Sequence, residues 1–507
     1  MIYSKTRTFN ADTHTPVQLY LQLRHHYRNC CLLESNDYHS RQDSRSFIGF
    51  DPLVSIELKN SNFEIKKEGE TVRVPVLLDS ARSTKDSARN AMKFAENVPL
   101  DSARGTNDKP ESSTQVGTEV KPSLTDQVQK LLNEYTFQHP EHNGFFGRMS
   151  FEFAHQDETH LTIESTPTDI PLLHLFLFRY VIVIDHFTNE GVLLENSFST
   201  DFQDVSMETF MRLPAPSILP FETIGKESAS FSDSEFSDLV KNGIHHCKRG
   251  DVFQLVLSNA FQQTYFGDDF HVYRQLRRTN PSPYLFYFDF ESYRLFGSSP
   301  EAQTVVKNGK VEIHPIAGTV PKTGEESVDA QQLEFLKKDE KENAEHTMLV
   351  DLARNDLSRN CSKVLIEAYK EIQHFSHVIH LVSKVTGQTN SDETFKTVSQ
   401  AFPAGTLSGT PKPRAMELIH QYEKNPRGFY GGAIGMLQPN GNANMAIVIR
   451  SILSKENQLH YQAGAGIVLD SDPERETQEV HHKLKAVREA IRKAHSFQSE
   501  TEKTATS

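Results

Sequence analysis

The pattern of hydrophobic and polar positions in the first half of the chain is typical of β-strands. Residues 54–58 and 63–67 alternate between apolar and polar side chains, and the turn-forming residues Asn60, Ser61 and Asn62 separate them, which predicts a hairpin. The apolar run 172–185 is rich in β-branched and aromatic residues, as expected of a central strand. We therefore expect the N-terminal part to contribute strands to a sheet.

In the second half, predicted strands are interspersed with predicted helices. Strands are expected at 252–257, 284–290, 311–315, 431–437, 443–453 and 459–468. Helices are expected at 232–249, 327–357 and 473–496, and a flexible tail at 497–507. The catalytic and ligand-binding residues are expected in this half.

Changes in amino-acid composition along the chain predict an insert and a linker. Between residues 79 and 121, Ser, Thr, Asn and Lys replace most large apolar side chains, which predicts a disordered, solvated insert. The proline-rich stretch 214–220 predicts a linker. We therefore predict an N-terminal domain at 1–220 and a second domain at 221–496.

Charge and composition exclude several classes of protein. Lys and Arg number 54 against 67 Asp and Glu, giving a net charge of −13, and no basic cluster suited to nucleic acid occurs. No segment reaches the ~18 consecutive apolar residues that span a bilayer. The N-terminus lacks a signal-peptide pattern, so we expect a cytoplasmic protein. The 4 cysteines are too few for a disulfide framework.

One stripe of the helix predicted at 327–357 combines acidic and apolar residues. Glu345, Leu349, Leu352 and Asp356 recur at helical spacing and so lie on the same side. A carboxylate on an apolar stripe needs a partner. Two simpler interpretations stay open: a solvated polar face, or a structural ion-pair cluster that includes Asp356.

Two acids also lie on one face of the last predicted helix. Asp472 is a suitable N-cap, and Glu476, Glu479 and Lys483 follow at spacings that share a face. Two acids from separate helices would suit Mg²⁺, which takes oxygen ligands and keeps positions for water and substrate. Alternatively, acids in a first turn simply complement the helix dipole.

Two glycine-rich segments could approach an anion closely. Residues 464–466 permit close contact with a carboxylate, although a tight bend explains them equally well. Residues 404–412 precede a predicted helix and could hold an anion, but they lack the spacing of a phosphate-binding loop. His380 lies in an apolar run and, on this evidence alone, is interpreted as a core residue. No nucleophile elbow or HExxH helix occurs, which excludes the corresponding hydrolases.

Together these segments resemble the chorismate-utilising enzymes, and within that family the large subunits of anthranilate synthases. The matching motifs, in family order, are 345–356, 380–382, 402–406 and 464–466. The resemblance covers nearly everything outside the insert. It implies an α+β fold of two-layered antiparallel β-sheets flanked by helices, with an intertwined N-terminal subdomain that carries tryptophan-binding elements.

Two positions separate the branches of this family. Members that add water have a lysine where this chain has Gln254, so glutamine implies ammonia. Aminodeoxychorismate synthases have a nucleophilic lysine where this chain has Ala317. The resemblance thus implies an oxo-acid lyase that converts chorismate and ammonia to anthranilate and pyruvate, the first committed step of tryptophan biosynthesis. Aminodeoxychorismate synthase is the nearest alternative; a silent tryptophan-binding subunit would lack Glu345 and Glu476.

The resemblance also assigns roles to individual residues. It implies Mg²⁺ bound by Glu345 and Glu476, and Glu301 as general acid with His380 assisting later proton transfers. The other positions at the reacting centre are Gln254, Ala317 and Thr319. The substrate contacts are Thr406, Tyr430, Arg450, Gly464, Ala465, Gly466 and Lys483.

Finally, the resemblance implies a partner and an inhibitor. The chain has no amidotransferase nucleophile motif, so ammonia is expected from a glutamine amidotransferase subunit, anthranilate synthase component II. Feedback inhibition by tryptophan is expected at Glu34, Ser35, Asn280, Pro281, Ser282, Pro283, Tyr284 and Leu285. The chain departs from the family at Ala446, where many relatives have cysteine, and at Leu285, where methionine is frequent.

Overall fold

The structure, a computed structural model, describes residues 1–35, 44–59, 61–77, 122–155, 170–214, 218–321, 324–374 and 378–505. The insert predicted at 79–121 lies outside these ranges. Within the described ranges, no helix is both long enough and apolar enough to cross a membrane.

The strands follow one another along the whole described chain. They are β1 (Tyr3–Asn10), β2 (Cys31–Glu34), β3 (Arg45–Lys59), β4 (Asn62–Lys67), β5 (Glu70–Pro75), β6 (Phe145–Met149), β7 (Leu173–Asp185), β8 (Glu190–Ser197), β9 (Glu222–Ala229), β10 (Gln254–Phe266), β11 (Tyr284–Asp289), β12 (Arg294–Ser299), β13 (Ala302–Lys307), β14 (Lys310–Ile313), β15 (Ile316–Pro321), β16 (Ser362–His374), β17 (Val378–Gln388), β18 (Gly409–Thr410), β19 (Ala433–Leu437), β20 (Ala443–Ile447), β21 (Ser451–Lys455) and β22 (Gln458–Ile467).

The helices lie mostly in the second half. They are α1 (Pro16–His26), α2 (Leu124–Asn133), α3 (Met207–Met211), α4 (Asp233–Arg249), α5 (Phe270–Thr279), α6 (Glu326–Lys338), α7 (Glu340–Ser358), α8 (Thr394–Gln400), α9 (Gly405–Ser408), α10 (Lys412–Tyr422) and α11 (Pro473–Ala505).

The predicted hairpin and central strand are confirmed. β3 pairs with β4 in antiparallel register, with Val54 opposite Lys67 and Leu58 opposite Phe63. β7 pairs with β3, β6 and β8 and is covered on both faces. Its residue Leu175 packs in one apolar cluster and Phe176 in another, as side-chain alternation along a strand requires.

Strands from the two halves of the chain pair with one another. β2 lies between β3 and β11, and β6 lies between β7 and β19, all antiparallel. Helices α1, α4, α5 and α11 pack against this sheet through a shared apolar cluster. The predicted α+β fold with an intertwined N-terminal part is confirmed; the division at residue 220 stays a prediction.

Several element boundaries differ from those predicted; β10, for example, extends to Phe266. The helix expected at 327–357 is two helices, because Asp339 has an extended backbone and caps α7, accepting the Glu342 amide at 2.9 Å. The strand expected at 443–453 is divided into β20 and β21, and the intervening Arg450 has a φ of 48°. The last helix continues past residue 496 to Ala505.

Candidate active site

Two antiparallel strands, β10 and β22, form the floor of the candidate site. Val256 pairs with Gly466, and Ser258 pairs with Gly464. A Cβ atom on Gly464 would lie 2.8 Å from the Leu257 carbonyl oxygen, and one on Gly466 would lie 2.7 Å from Gln254 Nε2. Glycine therefore permits close approach at both positions, and residues 464–466 form extended strand rather than a bend.

Gln254, the first residue of β10, joins this floor to α7. Its Nε2 donates a hydrogen bond of 2.8 Å to Glu345 Oε1. The side chain is 2% exposed, and within the described part of the chain its Oε1 is buried without a hydrogen-bond partner. An unsatisfied buried acceptor carries a free-energy cost and calls for an explanation, which a ligand with an N–H or O–H donor would supply.

Glu476 is connected through Ser471 to Val468, the residue that follows β22. Its Oε1 accepts a hydrogen bond of 2.8 Å from Ser471 Oγ, which in turn accepts the Val468 amide at 3.0 Å. Glu345 Oε1 lies 3.8 Å from the Cβ position of Gly466, two residues before Val468. Glu345 thus lies near Gly466, and Glu476 is linked through one serine to the residue two positions later.

The acidic stripe on α7 serves two purposes. Leu349 and Leu352 are buried, and Glu345 at one end reaches Gln254. At the other end, Asp356 forms a buried ion pair with Lys412 at 2.6 Å. The structural ion-pair interpretation therefore holds for Asp356, while Glu345 belongs to the candidate site.

The oxygen donors of the site fit Mg²⁺ better than a metal that needs a protein cage. Within the described ranges, no group of three or more His, Cys, Asp and Glu side chains is arranged to hold a metal ion. Mg²⁺ commonly takes one or two carboxylates and completes its shell with water and substrate oxygens. Glu345 and Glu476 fit that pattern, and their metal role stays a prediction.

Glu301 is a carboxyl group suited to acid catalysis. Burial raises its pKa to about 7, although a hydrogen bond of 3.0 Å from Thr406 Oγ1 and the positive charges of Lys483 and Arg450 act in the opposite direction. A substantial fraction of this carboxyl is therefore protonated near neutral pH.

Cationic and hydroxyl groups surround Glu301. Lys483 Nζ donates to the Gly464 carbonyl oxygen at 2.9 Å and lies 3.6 Å from Glu479 Oε1. Burial lowers the pKa of Arg450 and raises that of Tyr430. A Cβ atom on Gly464 would lie 3.2 Å from the Tyr430 hydroxyl oxygen. The structure thus brings most of the predicted substrate contacts together, and their roles stay predictions.

His380 lies on β17, opposite Thr319 of β15, and Ala317 is paired with Leu381. Its Nδ1 donates to the Gly318 carbonyl oxygen at 3.3 Å. Burial lowers the pKa of His380, and the positive charge of Arg450 lowers it further. A neutral imidazole near Arg450 is therefore expected at neutral pH, able to accept a proton at Nε2.

Five of the eight predicted effector residues border a cavity of about 830 Å³. Its lining includes Leu33, Glu34, Ser35, Pro283, Tyr284, Leu285 and Ala446. Glu34 is buried and accepts hydrogen bonds from Arg277 Nε at 2.9 Å and from Tyr273 Oη at 2.7 Å. The other three predicted residues precede this lining in the chain: Asn280, Pro281 and Ser282.

Sequence reasoning missed a buried ion pair behind the site. Glu423 and Arg427 face each other at 2.5 Å, with side chains 5% and 1% exposed. Their opposite charges four residues apart were the available signal, although both residues lie beyond the end of α10, where helical spacing does not apply. Nothing local indicated that Arg427 would reach β10 and α9.

Comparisons with known proteins identify the family of the chain. The model of the chorismate binding enzyme family matches residues 78–489. The chain belongs to that family, and the predicted resemblance is confirmed.

Among curated proteins, the chain is similar to several named anthranilate synthase component 1. The protein of Acetivibrio thermocellus is 32% identical over 96% of this chain and 94% of its own length. That of Haemophilus influenzae is 31% identical over 97% and 99%, and that of Saccharolobus solfataricus is 38% identical over 69% and 80%.

Solved structures extend the similarity to the fold. Anthranilate synthase component I of Streptococcus pneumoniae aligns over 87% of this chain and 92% of its own, with a TM-score of 0.66 and 29% identity. The menaquinone-specific isochorismate synthase of Escherichia coli aligns over 97% and 95%, with a TM-score of 0.67 and 18% identity, and so supports the fold alone.

Proposed function

We propose that the chain is the chorismate-binding component of an anthranilate synthase, an oxo-acid lyase that converts chorismate and ammonia to anthranilate and pyruvate in tryptophan biosynthesis. The similarity over the full length to proteins of that name supports the assignment. The structural observation that carries it is the Gln254–Glu345 hydrogen bond, which puts a neutral amide beside the predicted metal acid.

Glu345 and Glu476 would hold Mg²⁺ at the end of β22. When bound, the ion would neutralise and orient the ring carboxylate of chorismate and stabilise charge that develops as the C4 hydroxyl leaves. The chain's own cations, Arg450 and Lys483, would bind and orient the substrate carboxylates.

Glu301 supplies the first proton. Its carboxyl, protonated to a substantial extent near pH 7, donates a proton to the C4 hydroxyl, which leaves as water. Ammonia adds at C2 to give aminodeoxyisochorismate. Loss of the C2 proton and elimination of pyruvate then make the ring aromatic, and the neutral imidazole of His380 assists these proton transfers.

Ammonia, rather than water or a lysine amine, is the proposed nucleophile. The unsatisfied Oε1 of Gln254 is an acceptor suited to the N–H groups of ammonia, and it has no proton-abstracting ability comparable to that of a lysine amine. Ala317 provides no nucleophile of its own. A second component, a glutamine amidotransferase, would deliver ammonia, in keeping with the relatives' designation as component 1. The cytoplasmic location stays a prediction.

Tryptophan is the proposed feedback inhibitor, bound in the cavity of about 830 Å³ beside Glu34 and Leu285. Asn280 Oδ1 accepts a hydrogen bond of 3.5 Å from Arg450 Nη1, and the Ser298 amide donates to the Arg450 carbonyl at 3.2 Å. The segment that precedes the cavity is thus connected to a proposed substrate residue.

The purified chain, incubated with chorismate, Mg²⁺ and ammonium, tests the proposal. Anthranilate fluorescence and equimolar pyruvate are expected, with inhibition on addition of tryptophan. Glu301→Gln is the matched variant, which should make neither product. An amino product that retains its enolpyruvyl group would identify an aminodeoxychorismate synthase, and tryptophan binding without turnover would identify a silent regulatory subunit.

A further inference from the structure

A buried ion pair lies directly behind the candidate site. Arg427 Nη2 donates to Glu423 Oε1 at 2.5 Å, and Arg427 Nε donates to Glu423 Oε2 at 2.9 Å. Burying two charges costs desolvation energy that their attraction offsets only when the remaining donors and acceptors are satisfied. The partners of those remaining groups therefore indicate what the pair does.

Arg427 connects two segments that carry site residues. Its Nη1 donates to the Leu407 carbonyl oxygen at 2.5 Å, and its Nη2 donates to the Val256 carbonyl oxygen at 2.8 Å. Leu407 directly follows Thr406, and Val256 is two residues after Gln254. Because the guanidinium group is rigid and planar, these two hydrogen bonds fix the position of α9 relative to the start of β10.

Glu423 fixes the same strand further along. Its Oε1 accepts the Ser258 amide at 2.9 Å and the Ser258 hydroxyl at 2.8 Å. Ser258 pairs with Gly464 on β22. The guanidinium of Arg427 also lies 5.7 Å from the ring centre of Tyr430. Arg427 lies closer still to the Phe151 ring, at 4.5 Å, but the hydrogen-bond partners of the pair are all close in sequence or in strand pairing to residues that we place in the site.

We propose that Glu423 and Arg427 are a positioning pair for the reaction. They hold Leu407 against Val256 and thereby fix the position of the Thr406 hydroxyl relative to β10, the strand that carries Gln254. The Thr406 hydroxyl in turn orients Glu301. Neither residue is required to touch the substrate. This role rests on the proposed function, because it concerns the alignment of the same general acid.

The first test compares two conservative arginine variants. Arg427→Lys keeps the charge but cannot reproduce four N–H contacts in one plane. A misplacement of the acid by about 1 Å lowers kcat by about 100-fold, and the chorismate KM should change much less. Arg148→Lys is the control: Arg148 is also buried, donates to Tyr293 Oη, Ser150 Oγ and the Pro171 carbonyl, and within the described part of the chain forms no hydrogen bond with the proposed site residues. It should lose thermal stability and keep kcat.

The second test follows the pH dependence of kcat. The groups that face Glu301 are the Thr406 hydroxyl, Lys483, Arg450 and Tyr430. Thr406 favours the ionised carboxylate, so Thr406→Val should raise the pKa of Glu301 and move the alkaline fall of kcat to higher pH. Arg427→Lys should move it in the same direction, and the double variant should show no further shift.

The outcomes separate this role from the proposed function. Should Arg427→Lys fail to fold, Glu423→Gln, which preserves shape, should give the same direction of change in kcat and pH profile. If the wild type makes anthranilate and these variants lose only stability, or if their pH shifts add to that of Thr406→Val, the positioning role is overturned. A wild type that makes no anthranilate contradicts the proposed function, and the positioning role with it.

Discussion

The side-chain amide of Gln254 donates a hydrogen bond of 2.8 Å to Glu345 Oε1, which joins the first residue of β10 to α7. The opposite end of the same amide is a buried oxygen that has no partner within the described residues. One side chain therefore presents a satisfied donor to a proposed metal acid and an unsatisfied acceptor for a ligand.

Gln254→Leu should weaken the use of ammonia. It removes the proposed acceptor, and a hydrogen bond worth about 1.4 kcal/mol corresponds to a tenfold change in binding. We expect the KM for ammonium to rise about tenfold, with a smaller change in the KM for chorismate, measured by anthranilate fluorescence. Gln22→Leu is the control, since Gln22 is also buried with an unpartnered Oε1 but donates to Leu213 O, away from the site. An unchanged ammonium KM in Gln254→Leu would contradict the role of the amide.

The kcat of the reaction should fall as the pH rises above about 7, because Glu301 must be protonated. The general acid must be protonated, and burial raises its pKa to about 7, so kcat should fall as the pH rises through that value. Glu301→Gln should abolish turnover. A kcat that stays constant between pH 6 and pH 9 would argue against Glu301 as the acid.

The same group should make stability depend on pH. A carboxyl whose folded pKa lies above its unfolded pKa destabilises the folded state once both states are ionised. Stability should therefore decrease as the pH rises from about 4.5 to about 7. At pH 8, Glu301→Gln should raise the free energy of unfolding by about 1–3 kcal/mol, measured by urea denaturation, and at pH 4 the difference should vanish. A variant that is less stable than the wild type at pH 8 would contradict this.

Local sequence signals predicted much of the fold. The alternation at 54–58 and 63–67 and the apolar run at 172–185 are properties of adjacent residues, so both predicted structures are present. The division of α6 from α7 comes from the cap that Asp339 forms with the Glu342 amide, and that of β20 from β21 coincides with the positive φ of Arg450. Amphipathic pattern alone continues through both points, and so it predicted single elements there.

Local sequence patterns also predicted only part of the candidate site. Motifs and the family resemblance identified residues such as Glu301, Thr406 and Glu345, which the structure places on adjoining elements. Arg427 was missed because its carbonyl partner Val256 is 171 residues away in the sequence. Hydrogen bonds between residues this far apart produce no periodic pattern in the amino-acid sequence.

Glu345 and Glu476 should both be required for Mg²⁺ binding. Glu345→Gln and Glu476→Gln each remove a charged oxygen ligand, and we expect activity to fall at least about 100-fold, as removal of transition-state charge stabilisation commonly does. Calorimetric titration of Mg²⁺ with chorismate present and ammonium absent, so that no turnover occurs, should show weaker binding. Glu474→Gln is the control, since Glu474 is exposed in the same first turn of α11. Equal losses in all three variants would favour the helix-dipole interpretation instead.

Leu285→Ala should relieve inhibition by tryptophan. Leu285 is 1% exposed and lines the cavity of about 830 Å³, so truncation removes apolar contact with a bound indole. Loss of roughly two to three buried CH₂ equivalents, at about 0.8 kcal/mol each, predicts a rise of tenfold or more in the tryptophan concentration for half-inhibition.

Leu295→Ala is the control: Leu295 is 0% exposed on the neighbouring strand β12 but does not line the cavity. Both variants should lose about 2–5 kcal/mol of stability, and only Leu285→Ala should change the inhibition curve. Equal inhibition in the two variants would locate the tryptophan site elsewhere.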